Sequence, residues 1–373
     1  MNINIVKKKK DIFILTPKGD NVLEVYENDG FLDYYLFNPK DRSLTEIAPE
    51  IRKSPLIKVF NCAKDSAKVF FCAIEENRVS VYRDEEGGAV LLCGMDAGGV
   101  VDGINLSIKV FILSETKILI QKEILDRNEE NNFVGNIRFE LTLFDAFSGQ
   151  SMEITEDTYI NNGICLIKGV SKTEILVKTG FNHLEDDRIP EGSEQDALIE
   201  GVYYGSREKF IENLFTSSTM HDLDLLYSSY NDKFILMTES SENYIYYTVA
   251  DADMVHAETY FYNFRTDEKI VFRNDNFNKD DIDTAYVVDD TPFIRITDEN
   301  SVDFLNLKSA DVEISFPGEE FVSLTGKLFI MRKKRLGKYR LRLYNYPKLK
   351  MVLEEKADGC NCIKSGDNYY VYV

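Results

Sequence analysis

Seven segments of this chain share one pattern: an apolar strand end, a polar turn and a returning strand. They read "YLFNPKDRSLTEI" from 35, "VYRDEEGGAVLL" from 81, "LFDAFSGQSMEI" from 143, "VYYGSREKFIENL" from 202, "YFYNFRTDEKIVF" from 260, "DFLNLKSADVEIS" from 303 and "LYNYPKLKMVLE" from 343. Aligned on the second apolar residue (Phe37, Tyr82, Phe144, Tyr204, Tyr262, Leu305 and Tyr344), the intervals are 45, 62, 60, 58, 43 and 39 residues. A chain that repeats one hairpin at this spacing is built from stacked copies of one β unit, which excludes a helical or α/β architecture.

Between hairpins lie two further strand-like runs joined by a short turn, such as "LIKVFNCAKDSAKVFFCAI" in the second unit and "IKVFILSETKILIQKEI" in the third. Each unit is therefore four strands, a to d. Strands a and b are apolar on both sides, as expected when both faces are covered. Strand c alternates: in "IRFELTLF" Ile137, Phe139, Leu141 and Leu143 fall on one side, Arg138, Glu140 and Thr142 on the other.

In this pattern the chain resembles the β-propeller superfamily over nearly its whole length; the short intervals match the ~40–45 residues of one four-stranded blade. No single family within it is identified. With no Trp the WD dipeptide cannot occur, and only Gly87–Gly88 and Gly98–Gly99 offer the glycine pair that Kelch blades require. The resemblance implies an all-β ring of seven blades, eight remaining open, spanning residues 1–373 as one domain. The strand-like "NINIV" at the N-terminus and "NYYVYV" at the C-terminus would pair to close it. A pair of β-sandwich domains is the alternative.

A net charge of −20 repels nucleic acid and anionic membrane over most of the surface. The first residues, "MNINIVKKKKDIFIL", lack an apolar run of signal-peptide length, and no stretch reaches the ~20 apolar residues that cross a bilayer. The six cysteines sit mostly inside strand-like runs rather than in a loop framework, which points to a reducing cytoplasm.

The three long intervals are consecutive. Their extra residues are expected at 125–136, 182–196 and 240–258, all as b–c loops on one face, with "YIYYTV" as a candidate added strand. The second is acidic: His183, Glu185, Asp186, Asp187, Glu191, Glu194 and Asp196 form a candidate surface for a basic protein partner. A basic strip stands opposite, in Arg332, Lys333, Lys334, Arg335, Lys338, Arg340 and Arg342, with tyrosines interleaved. It is the candidate for a polyanion.

Motifs for chemistry are missing. His183, His221 and His256 have no second His or Cys at ligand spacing, and "NDNFNKDDID" has Lys279 where a calcium loop needs Gly. Neither a phosphate loop nor a dinucleotide fingerprint occurs, so no metal and no cofactor is expected. The sequence alone thus favours a non-catalytic platform that binds a protein through the acidic loops, with no catalytic residue assigned. An enzyme acting on a glycan or other small polar ligand at the central funnel is the alternative.

Overall fold

Period-two patterning produces 31 strands in eight sheets among the described residues. The structure, a computed structural model, describes residues 2–7, 12–63, 66–127, 133–154, 163–180, 200–216, 222–229, 233–277, 279–335 and 337–373. The sheets form an eight-bladed β-propeller, the larger of the two counts left open by the sequence. In chain order the blades span 14–46, 70–96, 106–154, 164–229, 233–274, 285–317, 320–355, and finally 361–372 together with 2–6. Strands a of blades 7 and 8 and of blades 8 and 1 pack together, so strands a line the axis.

Blade 8 escapes a count of hairpins because it has no c–d hairpin. Its Asn361–Ser365 and Asn368–Tyr372 pair antiparallel, and its third strand is Asn2–Val6, from the other end of the chain. That strand runs parallel to Asn368–Tyr372, in register from Asn2 opposite Asn368 to Val6 opposite Tyr372. The expected closure of the ring through the two termini is therefore present.

The repeated hairpin has a local cause. Strand c ends in an Asx residue whose side chain accepts from the main chain two residues on: Asn38 from Lys40 (2.9 Å), Asp145 from Phe147 (3.0 Å), Asn263 from Arg265 (3.0 Å) and Asn306 from Lys308 (2.8 Å). Four residues after each of these the chain turns left-handed, at Arg42, Gly149, Asp267 and Ala310, with φ between 58° and 71°. Strand d then returns.

Burial follows the expected gradient. Strand a of blade 3, Leu106–Ile112, is buried at five of seven positions, whereas strand d of blade 6, Asp311–Pro317, is exposed at five of seven. The core consists of wedges between neighbouring blades rather than one central mass. Between blades 6 and 7, Phe304 and Phe329 meet edge-on at 4.9 Å, both fully buried. Each such ring contributes about 1.5–3 kcal/mol by burial.

Three local expectations are corrected. Residues 240–258 are not an insertion: Tyr244–Asp251 is strand b of blade 5, fully paired on both sides. The surplus of that interval is a helix, α1 (Arg207–Thr216), between strands c and d of blade 4. "REKFIENL" therefore does not return as a strand. Phe210 and Leu214, one helical turn apart, point together into the wedge between blades 3 and 4 and are fully buried there. Segment 182–196 lies outside the described residues, as does the middle of 125–136.

The third correction concerns Ile57–Asn61, expected as strand a of the second unit. It crosses to blade 3 and pairs parallel with Leu106–Ile112, Ile57 opposite Ile108 and Asn61 opposite Ile112. Blade 2 keeps only strands b, c and d. The inner edge of its strand b, Phe70–Glu75, receives a main-chain bond from Ser54 to Cys72 (2.8 Å). A cleft opens between blade 1 and the displaced strand.

Candidate functional site

Successive strands of a blade alternate in direction, so the a–b turns gather at one mouth of the axis. The ion pair of Lys40, in the c–d turn of blade 1, with Asp20, in its a–b turn (2.7 Å), places both kinds of turn on that face. At the a–b turns of blades 5 to 8 a pocket of about 330 Å³ opens between inner strands.

Each wall is set by its turn. In blade 6, strands Ala285–Val288 and Thr291–Thr297 are joined by Asp289 and Asp290 alone, both left-handed (φ 51° and 59°). Two such residues make the tight turn whose twist matches a hairpin. This turn pushes two adjacent carboxylates into the pocket mouth. In blade 7 the turn is Gly326–Lys327. A Cβ on Gly326 would stand 2.8 Å from the hydroxyl of Tyr369, which also accepts from the Lys327 N–H at 3.2 Å. Glycine is required for that close approach of blade 8 to blade 7.

The polar groups are tied together. Lys327 Nζ lies 2.5 Å from Asp289 Oδ1, and Asn243 Nδ2 donates to Asp290 Oδ1 at 2.7 Å. Lys308 Nζ donates to the Asp290 carbonyl at 2.8 Å. Glu242 is exposed at the rim and has no hydrogen-bond or ion-pair partner among the described residues, and Lys364 stands across from it on blade 8. The buried Ser241 hydroxyl has no partner either.

Two phenols form the apolar part of the wall. Tyr246 stacks on Phe261 at 5.5 Å, and Tyr286 packs edge-on against Phe321 at 5.5 Å. Tyr286 donates to the Asp283 carbonyl (2.8 Å) and accepts from Arg295 (3.2 Å). Burial holds its phenol up, to about 12, and pushes Tyr246 up as well, so both are neutral hydrogen-bonding groups at ordinary pH.

None of these residues was singled out from the sequence. Ser241, Glu242, Asp289, Asp290, Lys327 and Lys364 lie up to 123 residues apart and meet only because the ring brings equivalent turns to one mouth. The available signal was positional: each occupies the a–b turn of its unit, or the strand end beside it.

The candidates from the sequence fare differently. His183, Glu185, Asp186, Asp187, Glu191, Glu194 and Asp196 all lie outside the described residues. In the basic strip, three arginines are engaged within blade 7. Arg332 bonds Glu320 (2.9 Å), Arg340 bonds Glu354 (2.7 Å), and Arg342 bridges Glu354 (2.9 Å) and Glu319 (2.8 Å). Acids on strands a and d, with Glu319 just before strand a, thus neutralise much of the strip. Lys333, Lys334, Arg335 and Lys338 occupy the b–c hairpin tip, where Arg335 stands directly opposite Lys338. No group of His, Cys, Asp and Glu among the described residues could hold a metal ion. No helix among them is long and apolar enough to cross a membrane.

No protein family matches the sequence, nor does any curated protein. Similarity appears in three dimensions. The chain resembles Porphyromonas gingivalis dipeptidyl peptidase 4 at 11% identity and TM-score 0.53, over 92% of this chain and 52% of that one. It therefore spans about half the length of that enzyme. It also resembles the propeller domain of the Trilobed protease from Pyrococcus furiosus (12% identity, 92% and 94% covered, TM-score 0.41). A further likeness is to an oligogalacturonate lyase solved with manganese (11% identity, 91% and 90% covered, TM-score 0.47). The expectation of a non-catalytic platform is corrected on this point: dipeptidyl peptidase 4, which carries a propeller of this kind, is an enzyme. At such identities the likeness is one of fold, a β-propeller.

Proposed function

We propose that this protein is an enzyme acting on a small polar substrate, a short glycan, bound in the axial pocket between blades 5 and 8. The observation that carries this is the convergence of three carboxylates, two lysines and two tyrosine rings on one 330 Å³ pocket. Sugars are recognised by this combination, with carboxylates and ammonium groups bonding hydroxyls while aromatic faces cover C–H surfaces.

Hydrolysis of a glycosidic bond needs one carboxylic acid to protonate the leaving oxygen and one carboxylate to activate water or attack. Glu242, with both oxygens open, fits the first role. Asp289, held by Lys327, fits the second. Tyr246 and Tyr286 position the ring. Cys62, Cys72, Cys93, Cys360 and Cys362 are thiols rather than disulfides, which supports a reducing compartment, the cytoplasm.

The test is a thermal-shift screen of neutral and acidic mono- and disaccharides, followed by a reducing-sugar assay on the corresponding oligomers. A sugar should stabilise the native chain and lose its effect with Tyr246→Leu. Turnover should fall about 10²-fold or more with Glu242→Gln or Asp289→Asn. Turnover unchanged in both carboxylate variants would falsify the assignment.

A further inference from the structure

The displaced strand Ile57–Asn61 leaves a second cavity, which shares no residue with the axial pocket. It measures about 490 Å³ and lies between strands a and b of blade 1, the displaced strand and strand b of blade 2. That is within the ~300–1,000 Å³ of small-molecule sites. Its walls are apolar: Ile14, Leu23 and Val25 on one side, Val59, Phe60 and Phe70 on the other.

Its charge is exceptional for this molecule. The chain has 64 acidic residues, yet no Asp or Glu lines the cleft, while Lys18 and Lys58 do. Lys18 is buried, 8% exposed, and its ammonium donates to the Lys68 carbonyl at 2.9 Å, with no carboxylate partner among the described residues. The side-chain amide of Asn61, at the end of the displaced strand, accepts from the Ala63 N–H through Oδ1 (3.0 Å). Its buried Nδ2 has no acceptor. A buried cation without a counter-ion and a donor without an acceptor therefore line one apolar cavity. Each is costly left as it is, and one anion would satisfy both.

We propose that this cleft binds an aliphatic carboxylate, its tail between blade 1 and the displaced strand and its head on Lys18 and Asn61. Burial alone depresses the Lys18 ammonium, to about 8, and a bound carboxylate removes that penalty. The apolar walls select the tail, and the acid-free lining admits the charge.

Isothermal titration of the full chain with decanoate, below its micelle concentration, tests this, with decan-1-ol and butyrate as probes lacking head charge or tail. Decanoate should bind saturably and more tightly than either control. Lys18→Met should weaken decanoate about ten- to hundredfold and leave decanol unchanged, as expected for a lost charged hydrogen bond. Ile14→Trp, at a position already 40% exposed, should block decanoate and decanol alike. If Lys18→Met does not fold, Asn61→Leu provides the second reading, with a loss of about tenfold expected. Decanol binding as tightly as decanoate, folded lysine and asparagine variants that bind like the native chain, or no saturable heat from the native protein would each overturn the proposal.

Discussion

Gln121 grips both main-chain groups of Ile164: its Nε2 donates to the carbonyl at 3.0 Å and its Oε1 accepts from the N–H at 2.7 Å. A side chain of blade 3 thus does for the first residue of blade 4 what a neighbouring strand would do. The remaining proton on Nε2 goes to Glu123 (2.8 Å), which also faces Lys109 (2.6 Å). The next seam repeats the device with charges. Glu200 accepts from the Ile235 N–H (2.7 Å), and Lys178 donates to the Ile235 carbonyl (2.6 Å). Blades are joined by buried polar clips as well as by apolar wedges.

Gln121→Leu keeps most of the volume but orphans two buried backbone groups. At about 1–3 kcal/mol for each unsatisfied group, the loss should be about 2–6 kcal/mol in a denaturant titration. A loss below ~1 kcal/mol would mean that water replaces the clip.

Ala310 is left-handed (φ 60°) at the end of a c–d turn where blade 3 uses Gly149. Since a left-handed L-residue is strained by about 1–2 kcal/mol, Ala310→Gly should stabilise the protein by about 0.5–1 kcal/mol after the added freedom of the unfolded chain is subtracted. The melting midpoint should rise, and a fall would show that the turn favours Cβ contacts instead.

Leu214, fully buried in the wedge between blades 3 and 4, anchors α1. Leu214→Ala should cost about 2–5 kcal/mol through the cavity it leaves. Leu214→Met, which conserves volume, should cost less than ~1.5 kcal/mol. Equal effects would place α1 outside the core.

Lys18 predicts a pH dependence. Its ammonium titrates near 10.5 in the unfolded chain and near 8 in the fold, so between those values the unfolded chain holds the extra proton. Stability then rises with pH across this window, and the penalty of burying the charge is complete below pH 8. The native protein, with Lys18→Met as the reference, should gain about 1–2 kcal/mol between roughly pH 7.5 and 9.5, because one proton held only by the unfolded chain is worth about 1.4 kcal/mol for each step of one in pH. A flat difference would mean that the amine reaches solvent.

The sequence carried the fold further than the site, for physical reasons visible at particular residues. Strands with period-two patterning and Asx turns such as Asn38 and Asn306 are local codes, so the repeating unit was legible. The partner of Ile57–Asn61 was not. A run apolar on both sides fits the inner edge of blade 2 or blade 3 equally, and only the packed ring decides. Helix α1 was hidden because Phe210 and Leu214, at helical spacing, sit where six other units have a returning strand. The axial pocket was illegible for a different reason. Asp289, Lys327 and Lys364 are ordinary turn and strand-end residues until the ring sets their turns side by side. The arginines of 331–350 read as a bare strip in the sequence because their acids lie outside the run, Glu319 and Glu320 before it and Glu354 on the strand after it.

The parallel pairing of Asn2–Val6 with Asn368–Tyr372 also sets a schedule. Asn2 and its partner Asn368 are 366 residues apart. At the ~5–20 residues per second of synthesis, the first strand waits roughly 20–75 s for its mate. Seven blades can assemble as they emerge, yet the circle stays unlatched until Asn368–Tyr372 has been made. Over that interval the nascent chain offers an open β edge to whatever stands near the ribosome.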